Sequence, residues 1–208
     1  MGNVPLVVLD FAPPAVDVEK LAGGGFILRS PTPLGDYPQS LGATLRKWAS
    51  DTPERLFLAE RNADSSWRKI TYGDFLNRVE RIAQALIDRA ITPETPVMIL
   101  SDNSIDNALL LHAGMYIGVP VVPVSPAYSL MSQDHSKLKH IYSQILPKLI
   151  FAANGEMFAG ALGALDLDGV EVVVSTAAPE GIACTSFDNL DAAPTEAVNE
   201  AFNSVGPD

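Results

Sequence analysis

The chain has 208 residues, 47% of them hydrophobic and 19% charged, with 14 Lys and Arg against 25 Asp and Glu, a formal net charge of −11. This length and composition suffice for a buried core, which excludes a disordered tail and a collagen-like or mucin-like segment. A surface this acidic repels polyphosphates and anionic lipid, so neither duplex nucleic acid nor a membrane is an expected partner.

Residues 1–39 hold Pro5, Pro13, Pro14, Pro31, Pro33 and Pro38 together with the run Gly23–Gly25. This composition predicts an extended N-terminal arm lying on the domain rather than an independent fold, with the glycines as a flexible turn. The apolar run Val4–Leu9 has no basic residue before it and stops at Asp10, so it does not read as a secretory signal. Ser40 caps a predicted helix whose Leu41, Thr44, Leu45 and Trp48 share one face. Leu56–Arg61 and Trp67–Ile70 alternate as two strands of a small hairpin around the turn at 62–66. Thr71 then starts the clearest helix: Asp74 sits at its positive end, and Phe75, Val79, Ile82, Ala83, Leu86 and Ile87 recur at helical spacing.

Beyond Pro93 and Pro96 the pattern becomes regular. Val97–Leu100, Val121–Val124, Leu149–Ala152 and Glu171–Val174 are short, wholly apolar runs. Between them lie predicted helices at Ile105–Tyr116 behind Ser104, Gln133–Ile145 behind Ser132, and Glu156–Leu165. Short apolar strands alternating with helices define βαβ units, hence an α/β fold with a mainly parallel sheet flanked by helices. The segment 175–208 reads as loop with one short helix near Thr195–Phe202. The expected domains are the arm, 1–39, and an α/β subdomain, 40–208.

Cys184 is the sole cysteine, so neither an internal disulfide nor a thiolate metal site can form, and one free thiol suits the reducing cytoplasm. The longest apolar stretch, Ala108–Val124, contains His112, Pro120 and Pro123 and is too short and broken to span a membrane. No G-x-x-x-x-G-K-[ST], no G-x-G-x-x-G after a strand and no G-x-S-x-G occurs. His112 falls inside an apolar helix, where one satisfied nitrogen suffices. His135 and His140 are five apart, on different faces of a helix, and no metal site is expected. The polar segments Ser101–Ser104 and Ser125–Ser129 each follow a strand, on the edge where open parallel sheets hold ligands. Two readings remain open for them. They contact a ligand directly, or Asn103 and Ser104 are helix caps and Ser125–Tyr128 is a proline-shaped turn.

Three segments resemble the adenylate-forming acyl-CoA synthetase family, in that family's order. Trp67–Phe75 (W-R-K-I-T-Y-G-D-F) is similar to its early motif (I/L)-T-Y-x-(E/D)-(L/F). Pro96–Ser104 (P-V-M-I-L-S-D-N-S) is similar to the strand-and-Asn segment that follows. Ala113–Pro126 (A-G-M-Y-I-G-V-P-V-V-P-V-S-P) is similar to the motif A-(G)-x-x-x-G-(A/V)-x-x-V-P-(V/I)-x-P. Leu28–Pro38 and Ser125–Leu130 narrow the resemblance to the feruloyl-CoA synthetase branch, and the whole covers about Leu28 to Asp208. The resemblance implies the N-terminal subdomain of the acyl-CoA synthetase fold. It further implies a parent ligase that joins an aromatic carboxylic acid to CoA, using ATP and Mg²⁺ and releasing AMP and pyrophosphate.

Asn103, Ser125 and Tyr128 are then the residues expected near the substrate or CoA passage, with no catalytic residue in this chain. The family's phosphate loop, T-S-G-S-T-G-x-P-K-G, is absent from these 208 residues, as are the later adenine and ribose motifs and the C-terminal domain with its adenylation lysine. The expectation is an N-terminal portion cut before that loop, inactive alone, holding no cofactor by itself and self-associating through the truncated face. Two other readings compete with it: a free-standing, non-catalytic α/β binding or assembly module, and a flavodoxin-like flavin binder.

Overall fold

The structure, a computed structural model, describes residues 15–207; the run Val4–Leu9 lies outside them. The chain divides into two units, Met1–Tyr37 and Pro38–Asp208. In the first, β1 (Asp17–Lys20) and β2 (Phe26–Arg29) pair antiparallel. The stretch expected as an extended arm therefore contains a hairpin. The physical reason is the placement of the prolines, which flank 15–30 and leave every strand N–H intact, while the glycine run supplies the reversal. Leu21 N–H closes that reversal by donating to the Gly25 carbonyl at 2.9 Å.

The second unit begins with α1 (Leu41–Asp51), whose Ser40 Oγ accepts the Ala43 N–H at 3.1 Å as anticipated. The antiparallel hairpin β3 (Leu56–Arg61) and β4 (Trp67–Thr71) follows. Thr71 then caps α2 (Tyr72–Asp88), accepting the Asp74 N–H at 3.2 Å. A five-stranded sheet completes the unit. Its strands are β5 (Val97–Leu100), β6 (Val121–Pro123), β7 (Leu149–Asn154), β8 (Glu171–Thr176) and β9 (Thr185–Ser186), in the order β6-β5-β7-β8-β9 and parallel throughout. The connecting helices are α3 (Ile105–Tyr116), α4 (Pro126–Leu130), α5 (Ser136–Ile145) and α6 (Ala159–Gly163), and α7 (Glu196–Ser204) closes the chain behind a Thr195 cap.

All four β5 residues are fully buried because successive side chains enter different cores. Val97 and Ile99 pack with Phe151, Val173 and the apolar faces of α2, α3 and α7, whereas Met98 and Leu100 pack with Ile150, Leu138, Phe158 and Leu162. Crossovers of one hand demand this arrangement, since β5→β6 and β6→β7 travel in opposite directions across the sheet. Arg46 ties α7 to this body. Its guanidinium bonds Tyr116 Oη and Asn199 Oδ1 and stacks 3.7 Å from the Phe202 ring. Burial, followed by the hydrogen bond that Tyr116 donates to Glu80, pushes the Tyr116 phenol well above its usual range.

Three details differ from the sequence expectation. The helix expected over Gln133–Ile145 starts only at Ser136, because His135 adopts a left-handed backbone (φ +52°), and Pro126 opens the separate short α4. The helix expected over Glu156–Leu165 contracts to Ala159–Gly163. A fifth strand, the two-residue β9, joins the four expected. Both edges of the main sheet are blunt: β6 has three residues, with Pro120 before it and Pro123 inside it, and β9 has two. Edges this short, one of them proline-bearing, resist strand addition.

Candidate ligand site at the carboxyl edge of the sheet

The strand order reverses between β5 and β7: the chain leaves β5 for β6 on one side and returns past β5 to β7 on the other. In open α/β sheets the crevice beyond the strand ends at such a reversal is where ligands bind. Here it is furnished by Ser101–Ser104 after β5, Ser125–Tyr128 after β6 and Ser175 near the end of β8, and it is flanked by the β3–β4 hairpin.

A charged network occupies this mouth. Arg68 on β4 donates through Nη1 to Glu60 Oε1 at 3.0 Å and through Nη2 to Asp106 Oδ1 at 2.7 Å. The second oxygen of each carboxylate is also engaged: Glu60 Oε2 accepts the Ile105 N–H at 2.7 Å, and Asp106 Oδ2 accepts the Ser175 hydroxyl at 2.7 Å. Glu60 thus supplies an acceptor to the first turn of α3, where the helix dipole favours a negative group. Burial works against the Arg68 charge, but the bonds and attraction from Asp106 and then Glu60 outweigh it and hold the guanidinium above its ordinary pKa.

One cleft opens beside the network, and a second lies between Tyr128 and α5. The first, about 400 Å³, has an apolar floor including Leu58, Ala108 and Leu111 and a polar rim of Glu60, Asn103 and Asn107. The second, about 380 Å³, is lined by Tyr128, Ser136, Lys137, His140 and Ile141, with the Lys137 ammonium 5.1 Å from the Tyr128 ring centroid. The residues singled out from sequence are therefore separated. Asn103 faces the first cleft, Tyr128 the second, and Ser125 is an exposed residue at the start of α4, making no side-chain cap bond and lining neither cleft. Ser104 is the helix cap, accepting the Asn107 N–H at 3.0 Å; Asn103 has no such role.

His112 sits as expected, with Nδ1 2.8 Å from the Ala108 carbonyl and its ring edge-on to Phe75. His135 precedes α5 rather than sharing it with His140, so the two are not on faces of one helix. The sequence reading missed Glu60, Arg68, Asp106 and Ser175. Glu60 and Arg68 carried a signal, since they are opposite charges facing each other across the β3–β4 register. Ser175 carried none, because its partner Asp106 is 69 residues away.

Among the described residues no group of three His, Cys, Asp or Glu side chains comes together to hold an ion. Arg68 at the mouth is already engaged by two carboxylates, so it is not a free cation for a phosphate group. One further local feature is measurable. The Ser129 hydroxyl in α4 is buried and meets no hydrogen-bond partner, which makes it a net cost. Ser129→Ala is expected to leave stability unchanged or raise it by about 1 kcal/mol, read as the urea midpoint; a clear loss would mean that the hydroxyl is satisfied in solution.

Residues 45–205 match the family described as AMP-binding enzyme, and the chain belongs to that family. Luciferin 4-monooxygenase of Luciola mingrelica is 30% identical over 107 residues, which is 50% of this chain and 19% of that protein. The luciferase-like enzyme of the nonluminescent mealworm Zophobas morio superposes with a TM-score of 0.57 at 22% identity, over 83% of this chain and 38% of that one. A fatty acyl-adenylate ligase of L. pneumophila superposes with a TM-score of 0.55 at 16% identity, over 79% of this chain and 25% of that one. At these identities the superpositions establish the fold: the five-stranded parallel α/β unit is that of the N-terminal subdomain of acyl-CoA synthetase structures. The chain spans 1% to 19% of the length of the curated relatives it matches.

Proposed function

We propose that these 208 residues are the N-terminal portion of an ATP-dependent acid–CoA ligase of the feruloyl-CoA synthetase type, working in the cytoplasm. The reaction is activation of an aromatic carboxylic acid as its adenylate, with release of pyrophosphate, followed by attack of the CoA thiol on the acyl carbon and loss of AMP. The observation that carries this reading is the family match across 45–205. Added support comes from the motif segments, which build the reversal point of the sheet and the polar loops beyond it. In this proposal Asn103 in the first cleft, Tyr128 with the Lys137 cation beside its ring, and Ser125 are the residues near the substrate or CoA passage.

By themselves the 208 residues are inactive in this proposal. Adenylation needs donors around the polyphosphate and a positive group on the reacting phosphorus, and binding energy elsewhere does not replace that stabilisation. The mouth offers Arg68, which its two carboxylates neutralise. The expected result is therefore no ATP–pyrophosphate exchange by the 208-residue chain with ferulate or any other acid. Exchange above an enzyme-free control overturns the inactivity. The ligase reading is tested separately by the reading frame downstream of the Asp208 codon. A continuation into a T-S-G-S-T-G-type loop supports it, whereas a stop codon directly after Asp208 leaves the non-catalytic module as the better account.

A further inference from the structure

The edge of β2 away from β1 is built differently from the blunt edges of the main sheet. Leu21 N–H bonds the Gly25 carbonyl, so Leu21–Gly25 is a hydrogen-bonded pair. Antiparallel alternation then makes Glu19–Ile27 and Asp17–Arg29 hydrogen-bonded pairs too, with Lys20–Phe26 and Val18–Leu28 as the non-bonded pairs between them. Consequently Phe26 and Leu28 direct their N–H and C=O groups away from β1. Among the described residues no strand pairs with that side of β2. Val18, Phe26 and Leu28, on one face of the hairpin, are 53%, 60% and 65% exposed. Within Phe26–Leu28 there is no proline, no charge and no bulge, so this edge lacks the features that block strand addition. A lone two-stranded hairpin is also marginal in water without further strands.

We propose that β2 is a docking edge for a second copy of this chain, paired antiparallel about a two-fold axis at Ile27. In that register Phe26 of each copy lies opposite Leu28 of the other. These are the residues whose backbone groups point outward, so four N–H···O=C bonds form and two aromatic–aliphatic cross-strand pairs meet on one face. Ile27 faces its own counterpart as a non-hydrogen-bonded pair, and Arg29 falls opposite Gly25, so no like charges are opposed. The result is a four-stranded sheet, one face of which carries Val18, Phe26 and Leu28 from each copy, with Lys20 opposite Phe26 at each outer strand. An axis at Leu28 keeps one apolar pair, Leu28 with its counterpart, and sets Phe26 opposite Ser30; an axis at Phe26 keeps one, Phe26 with its counterpart, and sets Leu28 opposite Gly24. The register at Ile27 is the one with two. The proposal is independent of the ligase reading.

The interface is small, so association is weak and concentration-dependent. The 208-residue chain is expected to sediment increasingly fast from about 10 µM to about 1 mM, in keeping with an interface below ~1,200 Å². Leu28→Lys, which sets a charge against Phe26 of the second copy, is expected to stay at the monomer value throughout, with the urea midpoint of the second unit unchanged. The register is read by oxidation of Ile27→Cys in a Cys184→Ser background. The Ile27 Cα atoms of the two copies stand about 4.5 Å apart in this pairing, within disulfide reach, whereas the Leu28 Cα atoms are separated by about 8 Å. Ile27→Cys is expected to cross-link, and to lose the cross-link when Leu28→Lys is added. A sedimentation coefficient that stays constant over the range overturns the proposal. So does association without the Ile27→Cys cross-link, or a cross-link that survives Leu28→Lys.

Discussion

Gly114→Val is expected to leave the second unit unfolded or destabilised by about 3 kcal/mol or more, the upper range for forcing atoms into a packed interior. Gly114 lies in the last turn of α3, where that helix presses on β6. A Cβ placed there meets Val121 Cγ2 at 2.1 Å and the Val119 carbonyl oxygen at 3.0 Å. The first contact is with a stiff β-branched side chain. The second is with backbone whose position is fixed, because Val119 N–H bonds the Gly114 carbonyl at 2.9 Å. Neither neighbour can retreat without lifting α3 from the sheet. Gly114→Ala should show the same effect at smaller size, about 2 kcal/mol, measured as a fall in the urea midpoint. The double variant Gly114→Ala/Val121→Ala should recover much of that loss, since the closest contact is Val121's own methyl. If Gly114→Ala matches the native midpoint, the close approach of α3 to β6 is wrong. The distance matters for the candidate site because Asn103 lies just before α3 and Ser125 just after β6.

This glycine also explains why part of the molecule could be read in advance. The segment A-G-M-Y-I-G-V-P-V-V-P-V-S-P encodes its geometry locally. Gly114 permits the contact, Gly118 takes the left-handed φ of +74° that ends the helix, and Pro120 and Pro123 confine β6 to three residues. Likewise the Thr71 cap and the spacing of Phe75, Val79 and Ile82 needed no tertiary information. What escaped was decided by context. His135 is an ordinary residue in sequence, yet its left-handed backbone delays the start of the expected helix to Ser136. The 17–29 hairpin was hidden by its proline-rich flanks, and β9 is too short to carry a pattern. In the site, Asn103 and Tyr128 were legible as polar residues just beyond strand ends. Their separation into two clefts depends on where α4 and α5 lie, and the Arg68 network joins the β3–β4 hairpin to α3 and β8, both distant from it in the chain.

The network is the second place where a large response is expected. Arg68→Met keeps most of the stem but removes the one positive group between Glu60 and Asp106. Each carboxylate retains one other partner, the Ile105 N–H and the Ser175 hydroxyl, and the α3 dipole still favours both by a few tenths to about 1 kcal/mol. Against this stands the repulsion of two partly buried like charges. Breaking a fully buried ion pair costs about 3–5 kcal/mol, but the Arg68 side chain is 43% exposed. Solvent screening therefore brings the expected loss down to about 1–2 kcal/mol. The loss should be largest at low salt, where the repulsion between the two carboxylates is least screened. Arg68→Lys should recover only part of it, because one ammonium lacks the planar fork that reaches both carboxylates. Adding Asp106→Asn to Arg68→Met should recover most, since the amide removes the charge and keeps an acceptor for Ser175. The local readout is hydrogen exchange at Ile105, whose N–H Glu60 holds: faster exchange there, with little change in β7, places the effect at the mouth. An unchanged midpoint and unchanged Ile105 exchange would mean that Arg68 is a solvated surface cation and that the start of α3 is held by Ser104 alone.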